Sequence, residues 1–127
     1  MFLLGGWINE REGATKGQFM AEQLKSFHVD KCILSGAALG KNLILSSYYE
    51  SDMHFQKLAM ESAGETILLL EAGKYPEAAV FSVTAATNFD YMVSNVPFKK
   101  EDKERFAAAG LHLIYVPTGS EEATDND

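Results

Sequence analysis

The sequence predicts an α/β fold built on a mostly parallel sheet. Three observations carry this. Strand-length apolar runs alternate with stretches of helical spacing, in the order β-α-β-α-β-(β)-β-α-β. The run Thr66-Ile67-Leu68-Leu69-Leu70 is apolar or β-branched without a break, the pattern of a strand covered on both faces. Small or charged residues follow three of the predicted strands: Gly5-Gly6, Gly36-Ala37-Ala38 and Glu71-Ala72-Gly73-Lys74. Ligands of open α/β sheets bind where strands end at their carboxyl side, so these three segments would gather along one functional edge.

Met1 to Leu4 reads as a short strand stopped by Gly5-Gly6. Trp7 to Lys16 is polar and glycine-punctuated, which predicts a loop. Gly17 to Phe27 reads as a helix, with Phe19, Met20, Leu24 and Phe27 at helical spacing and Thr15 as a cap. Lys31 to Ser35 is the next strand. Leu43-Ile44-Leu45 is an apolar patch of strand character in a glycine-containing connection. Ser51 or Asp52 caps a helix to Ala63 with Phe55, Leu58, Ala59 and Ser62 inward, and Gly64 suits its left-handed stop. Thr66 to Leu70 follows. Ala78 to Val83 reads as a short strand or a loop on the sheet edge. Tyr91 to Ser94 is a buried strand. Pro97 opens a helix over Lys99 to Ala109, with Phe106 and Ala109 inward and Gly110 at its end. Leu111 to Val116 is the last strand, stopped by Pro117.

The 127 residues suit one domain, expected over 1–117, with an acidic disordered tail over 118–127. No stretch reaches the ~18 apolar residues of a membrane span, and the apolar start is too short for a signal peptide. A cytoplasmic location is therefore expected. The single cysteine, Cys32, excludes an internal disulfide and any multi-cysteine metal site. Its apolar neighbours make it a buried structural thiol. A formal net charge of −7 gives no general attraction to phosphate backbones, so nucleic-acid binding by this chain is not expected.

No complete nucleotide fingerprint, zinc-protease motif or serine-hydrolase elbow is present. His28, His54 and His112 have no metal-ligand spacing. Lys74 stands past the Thr66–Leu70 strand as either a solvated loop lysine or a ligand contact. Lys57 lies in the preceding helix and reaches the same edge only if that helix is tilted or shifted. Two lysines and several glycines in one crevice would suit a phosphorylated or carboxylated small molecule.

Taken in order, these residues resemble the C-terminal effector-binding domain of DeoR-type bacterial transcriptional regulators, from Gly5 to about Val116. The marks are Gly5-Gly6, Gly17 opening a helix, and Asp30-Lys31 before a strand ending in Gly36-Ala37. Leu45-Ser46-Ser47, Lys57 with Met60, and the Ile67–Leu70 strand leading to Gly73-Lys74-Tyr75 follow. Phe89-Asp90, Ser94-Asn95 and Ala109-Gly110 complete the set. The resemblance implies a Rossmann-like three-layer domain, truncated at its N-terminus relative to the family and related to ribose-5-phosphate isomerase and glucosamine-6-phosphate deaminase. It implies sensing of a phosphorylated sugar or related metabolite and control of oligomerisation. Lys57 and Lys74 match the lysines of the family's ligand crevice. The candidate ligand-binding set is Gly5, Gly6, Gly36, Ala37, Lys57, Glu71 and Lys74, with no catalytic residue, metal or cofactor.

The chain also departs from the family pattern. It contains neither a helix-turn-helix nor the Asp-x-Gly-Thr-Thr phosphate loop. Ala38 stands where the family often has an acid, Glu71-Ala72-Gly73-Lys74 replaces Asp-x-Ser-Lys, and Ser94-Asn95 replaces Thr-Asp. An alanine moves no proton, so isomerase chemistry is not expected. A missing outer β-α unit would leave apolar sheet surface uncovered, which predicts a homodimer or larger assembly. The alternatives are a sugar-phosphate isomerase or deaminase with Glu71 as its base, and a degenerate domain that only self-associates.

Overall fold

The computed structural model describes residues 1–118 and contains nine strands and three α-helices among them. The tail expected over 118–127 lies, from Gly119 onward, outside the described residues. In chain order the elements are β1 (Trp7–Asn9), β2 (Ala14–Lys16), α1 (Gln18–Gln23), β3 (Val29–Ser35), β4 (Ala38–Leu39), β5 (Ile44–Ser47) and α2 (Glu50–Glu61). Then come β6 (Ala63–Leu70), β7 (Phe81–Ala85), β8 (Tyr91–Ser94), α3 (Lys100–Ala108) and β9 (His112–Tyr115).

The principal sheet has four strands in the order β3-β6-β8-β9, and every pairing in it is parallel. The fold is thus the expected mixed α/β, Rossmann-like arrangement. The Thr66–Leu70 run lies in β6, between β3 and β8. Its start is pinned by Asp90, just before β8. The Asp90 carboxylate accepts the Thr66 backbone N–H (2.8 Å) and hydroxyl (3.3 Å), and the Asp90 N–H donates back to the Thr66 carbonyl (3.0 Å). The buried Thr66 hydroxyl is thereby satisfied in an otherwise apolar strand.

Side chains alternate between the two faces of a strand, and the two faces of this sheet differ. Leu34, Leu68, Leu70 and Met92 point into one core cluster. They meet Ala59 of α2, Phe106 of α3, Leu39, Leu45 and Val83 of a second sheet, and Phe89 and Phe98 from loops. That second sheet is antiparallel, in the order β4-β5-β7. Strands laid down in one direction with right-handed crossovers put all their connections on the same side.

The other face carries Ile33, Ile67, Leu69, Val93 and Ile114 in register, and none of them belongs to the core cluster. Ile33 is 62% exposed, Leu69 43% and Ile114 46%. Among the described residues β6 is therefore covered on one face, not on both as its unbroken apolar run suggested.

Several local expectations are corrected. Met1 to Leu4 forms no strand, because none of the three sheets pairs with it. Trp7 to Lys16 is a β-hairpin, not a loop: Gly13 takes the positive φ its turn requires, and Ile8 and Thr15 pair across it. α1 starts from Gly17, without a side-chain cap from Thr15, and leaves Phe19 exposed. α2 starts from Tyr49, with no side-chain cap from Ser51 or Asp52. Gly64 does not stop a helix in the left-handed region but lies within β6, where the Asp30 backbone oxygen stands 3.2 Å from the place of a Cβ. Residues 78–83 end in β7, paired to β5 in the second sheet. In α3, Phe106 is buried as expected, whereas Ala109 is exposed and Leu111 fills the core behind it. Gly110 closes that helix at φ 83°, the predicted stop.

Gly36 is buried where β3 ends. A Cβ there would overlap Leu45, whose Cγ lies 2.9 Å from that position. Leu45 is fully buried and has little room to yield. Gly36→Ala is expected to cost about 1–3 kcal/mol by overpacking, read as a lowered urea midpoint with an unchanged slope.

Candidate functional site

Three of the four parallel strands deliver polar groups to one crevice at their carboxyl ends. It is a cavity of about 300 Å³ lined by Ser35 from β3, Glu71 and Lys74 after β6, and Ser94 and Asn95 at the end of β8. Leu69, Leu70, Val93 and Val116 give it apolar walls. Leu69 and Val93 belong to the uncovered sheet face, so the crevice opens along the margin of that face.

Each polar group is held by its own local structure. After β6 the chain makes a 3-10 turn over Ala72–Lys74, closed by Lys74 N–H to Glu71 carbonyl (3.0 Å) and Tyr75 N–H to Ala72 carbonyl (3.1 Å). The Ala72 N–H donates to the Asn95 side-chain oxygen at 2.6 Å, which ties this turn to the end of β8. Tyr75, directly after Lys74, packs on Phe98 (5.0 Å between centroids), and Phe98 packs edge-on against Phe106 of α3 (5.1 Å). Burial, together with the Asp102 carboxylate to which its hydroxyl donates (3.4 Å), raises the Tyr75 pKa above its ordinary value. Ser35 is fixed from the other side. Gln56 of α2 donates to the Ser35 carbonyl (3.1 Å) and accepts the Ser47 hydroxyl (3.2 Å). The Ser94 hydroxyl oxygen accepts the Val96 N–H (3.0 Å).

Among the described residues Lys74 is the one cation lining the crevice, and Glu71 the one carboxylate. They lie 3.6 Å apart, with the Glu71 side chain 73% exposed. With Glu71 largely in solvent and Lys74 half-buried, the pair contributes little to stability and gives way to a better-placed anion.

The sequence-predicted residues are distributed as follows. Glu71 and Lys74 line the crevice. Gly36 and Ala37 follow Ser35 but do not line it themselves. Lys57 is exposed on α2 and does not line the crevice. Gly5 and Gly6 lie at the hairpin. Gly5 exchanges hydrogen bonds with the Gln23 side chain, and a Cβ on Gly6 would meet the Lys16 carbonyl and Met20 Cβ at 2.8 Å. Ser35, Ser94 and Asn95 line the crevice but were not in the predicted set. Ser94-Asn95 carried the needed signal, a polar pair ending an apolar strand, and Ser35 the same signal one residue before Gly36.

A second cation is held elsewhere. Lys16 sits 2.6 Å from Glu12 and 3.7 Å from Asp52, over the Tyr49 ring. The Glu12 hydrogen bond, aided by Asp52, outweighs partial burial and raises its pKa. It borders a larger groove of about 670 Å³ that also contains Ser35 and Gln56. With two carboxylates around one ammonium, this end is a poor host for an anion. Cys32 is half-buried, and desolvation raises its thiol pKa, as for a structural cysteine. Among the described residues no cluster of His, Cys, Asp and Glu is able to hold a metal ion, and no helix is long and apolar enough to cross a membrane.

A family model described as the DeoR C terminal sensor domain matches residues 1–96, which hold β1 to β8 and all the polar lining of the crevice. The HTH-type transcriptional regulator GolR of Listeria innocua is 24% identical over 113 residues, 87% of this chain and 44% of that protein. The chain thus spans less than half the length of this curated relative.

Proposed function

This chain belongs to the DeoR C-terminal sensor domain family, and from that premise we propose that it senses a phosphorylated sugar or related metabolite for a transcriptional regulator. One observation carries the reading. The crevice at the carboxyl ends of parallel strands offers one lysine, Lys74, with neutral polar groups from Ser35, Ser94 and Asn95 beside it. A phosphate or carboxylate gains most from such a cation where water is partly excluded. The sugar hydroxyls meet the serines, and the apolar walls take the ring. The reading is non-enzymatic: among the described residues Glu71 is the one carboxylate lining the crevice, and Ala38 supplies no second one. In the cell such a domain works in the cytoplasm and leaves DNA contact to other parts of the regulator.

The open sheet face supports a self-association role. Ile33, Leu69 and Ile114 form an apolar surface of the kind that marks an interface. We assign the homodimer or larger assembly to this face.

Calorimetry with a panel of sugar phosphates tests the sensor reading, with ribose 5-phosphate turnover followed in parallel. Binding of at least one member without turnover is the expected result. No binding by any member removes the sensor role, and turnover replaces it with an enzyme. Sedimentation at micromolar concentration tests the assembly, and a strictly monomeric chain removes it.

A further inference from the structure

We infer that the effector reaches beyond the crevice, with its anionic group at Lys74 and an uncharged, hydroxyl-bearing chain lying in the groove between the hairpin and α2. The inference rests on the sensor reading above. It adds a second subsite, formed by Glu12, Lys16 and Asp52, which selects against a ligand charged at both ends.

The strand register makes the two cavities one trench. Ser35, Leu69 and Val93 pair side by side across β3, β6 and β8. At a strand spacing of ~4.8 Å they form a row about 10 Å long. All three line the crevice. Ser35 also lines the groove, together with Ile33, which lies two residues back on β3 and therefore on the same face. The trench thus continues past Ser35, over the edge strand β3, toward β2 and the start of α2. The Ser35 carbonyl is taken by Gln56, but among the described residues its hydroxyl has no protein partner. That hydroxyl is free for a ligand passing between the cavities. The crevice alone, at about 300 Å³, is at the lower limit for a small-molecule site, and the groove adds about 670 Å³.

The two ends of the trench differ in charge. Lys74 and Glu71 cancel at one end. At the other, Glu12 and Asp52 flank the Lys16 ammonium at 2.6 and 3.7 Å, two carboxylates against one cation among the lining residues. Each carboxylate keeps lone pairs that Lys16 does not use, and ligand hydroxyls donate to them in charge-assisted bonds. Leu4 and Phe55 supply apolar wall for the carbon chain. A ligand ammonium has no place, because Lys16 already stands between the carboxylates, over the Tyr49 ring at 5.6 Å. A second phosphate would meet both carboxylates, and like-charge contact of this kind separates otherwise similar ligands.

Calorimetry on the full chain tests this with glucitol 6-phosphate, glucitol 1,6-bisphosphate and glycerol 3-phosphate, whose short chain stops before the groove. Wild type is expected to bind glucitol 6-phosphate about tenfold more tightly than either of the others. In Glu12→Gln/Asp52→Asn the Lys16 ammonium loses both carboxylates. The preference should turn over there, with the bisphosphate bound about tenfold more tightly than glucitol 6-phosphate. Equal wild-type affinity for the two glucitol phosphates, or for the glucitol and glycerol monophosphates, overturns the inference while leaving the sensor reading intact. These comparisons need no variant, so they decide the matter even should the double variant not fold. An unchanged preference in a folded double variant overturns it equally, as does a chain that binds other sugar phosphates but not glucitol 6-phosphate. A wild-type chain that binds neither these probes nor any sugar phosphate of the panel overturns both.

Discussion

Lys74→Glu is expected to lose affinity for glucose 6-phosphate by about a hundredfold or more while keeping its melting temperature. A hydrogen bond between charged partners contributes about 1.5–3 kcal/mol, and reversal adds repulsion to its loss. Glu71, at 3.6 Å from the present ammonium, would then face a second carboxylate, so the crevice would be negative throughout. The fold should register little of the change, because a pair whose carboxylate stands in solvent contributes little to stability. Calorimetry beside a thermal melt checks both halves. Unchanged affinity would mean that Lys74 is the solvated loop lysine that its sequence context also allowed.

Phe106→Ala carries the largest expected cost in stability, about 3–5 kcal/mol. Phe106 is 1% exposed and stands edge-on to Phe98 at 5.1 Å. A single domain has only about 5–15 kcal/mol in total, so the melting temperature should fall by roughly 15 °C. The effect should also reach the crevice. Phe98 supports Tyr75, which directly follows Lys74, so the void left by the Phe106 ring loosens the turn that carries the cation. Binding measured well below the melt should be weaker in Phe106→Ala than in wild type. A fall of less than about 1 kcal/mol by urea denaturation would show that α3 does not hold this end of the sheet.

Much of the fold was legible in the chain because its signals are local. The uninterrupted Thr66–Leu70 run, the Tyr91–Ser94 run and the Leu111–Val116 run each give a strand of the parallel sheet, and Pro97 with Gly110 brackets α3. Strand ends were legible too, and with them the position of Glu71 and Lys74 just past β6, since the residues that stop an apolar run are a local signal.

The misreadings share a cause. The Trp7–Lys16 hairpin has too few apolar residues to show an alternating pattern. Gly64 looked like a helix stop because close approach to a neighbouring strand, the Asp30 carbonyl in this case, leaves no mark in sequence. Lys57 was grouped with Lys74 on family position, but the rotation of α2 places it in solvent.

By itself, then, the sequence determined the α/β class, the parallel strands and the charged end of β6, since these follow from apolar runs, their spacing and the residues that stop them. Only the tertiary structure decided that both longer helices and the second sheet lie on one face, leaving Ile33, Leu69 and Ile114 open. It alone brought Ser35, Ser94 and Asn95 to Lys74 across three strands. The physical reason is that crossover side, strand order and the lock between Asn95 and Ala72 are relations between segments 21 or more residues apart, fixed by packing and hydrogen bonds that no local pattern records.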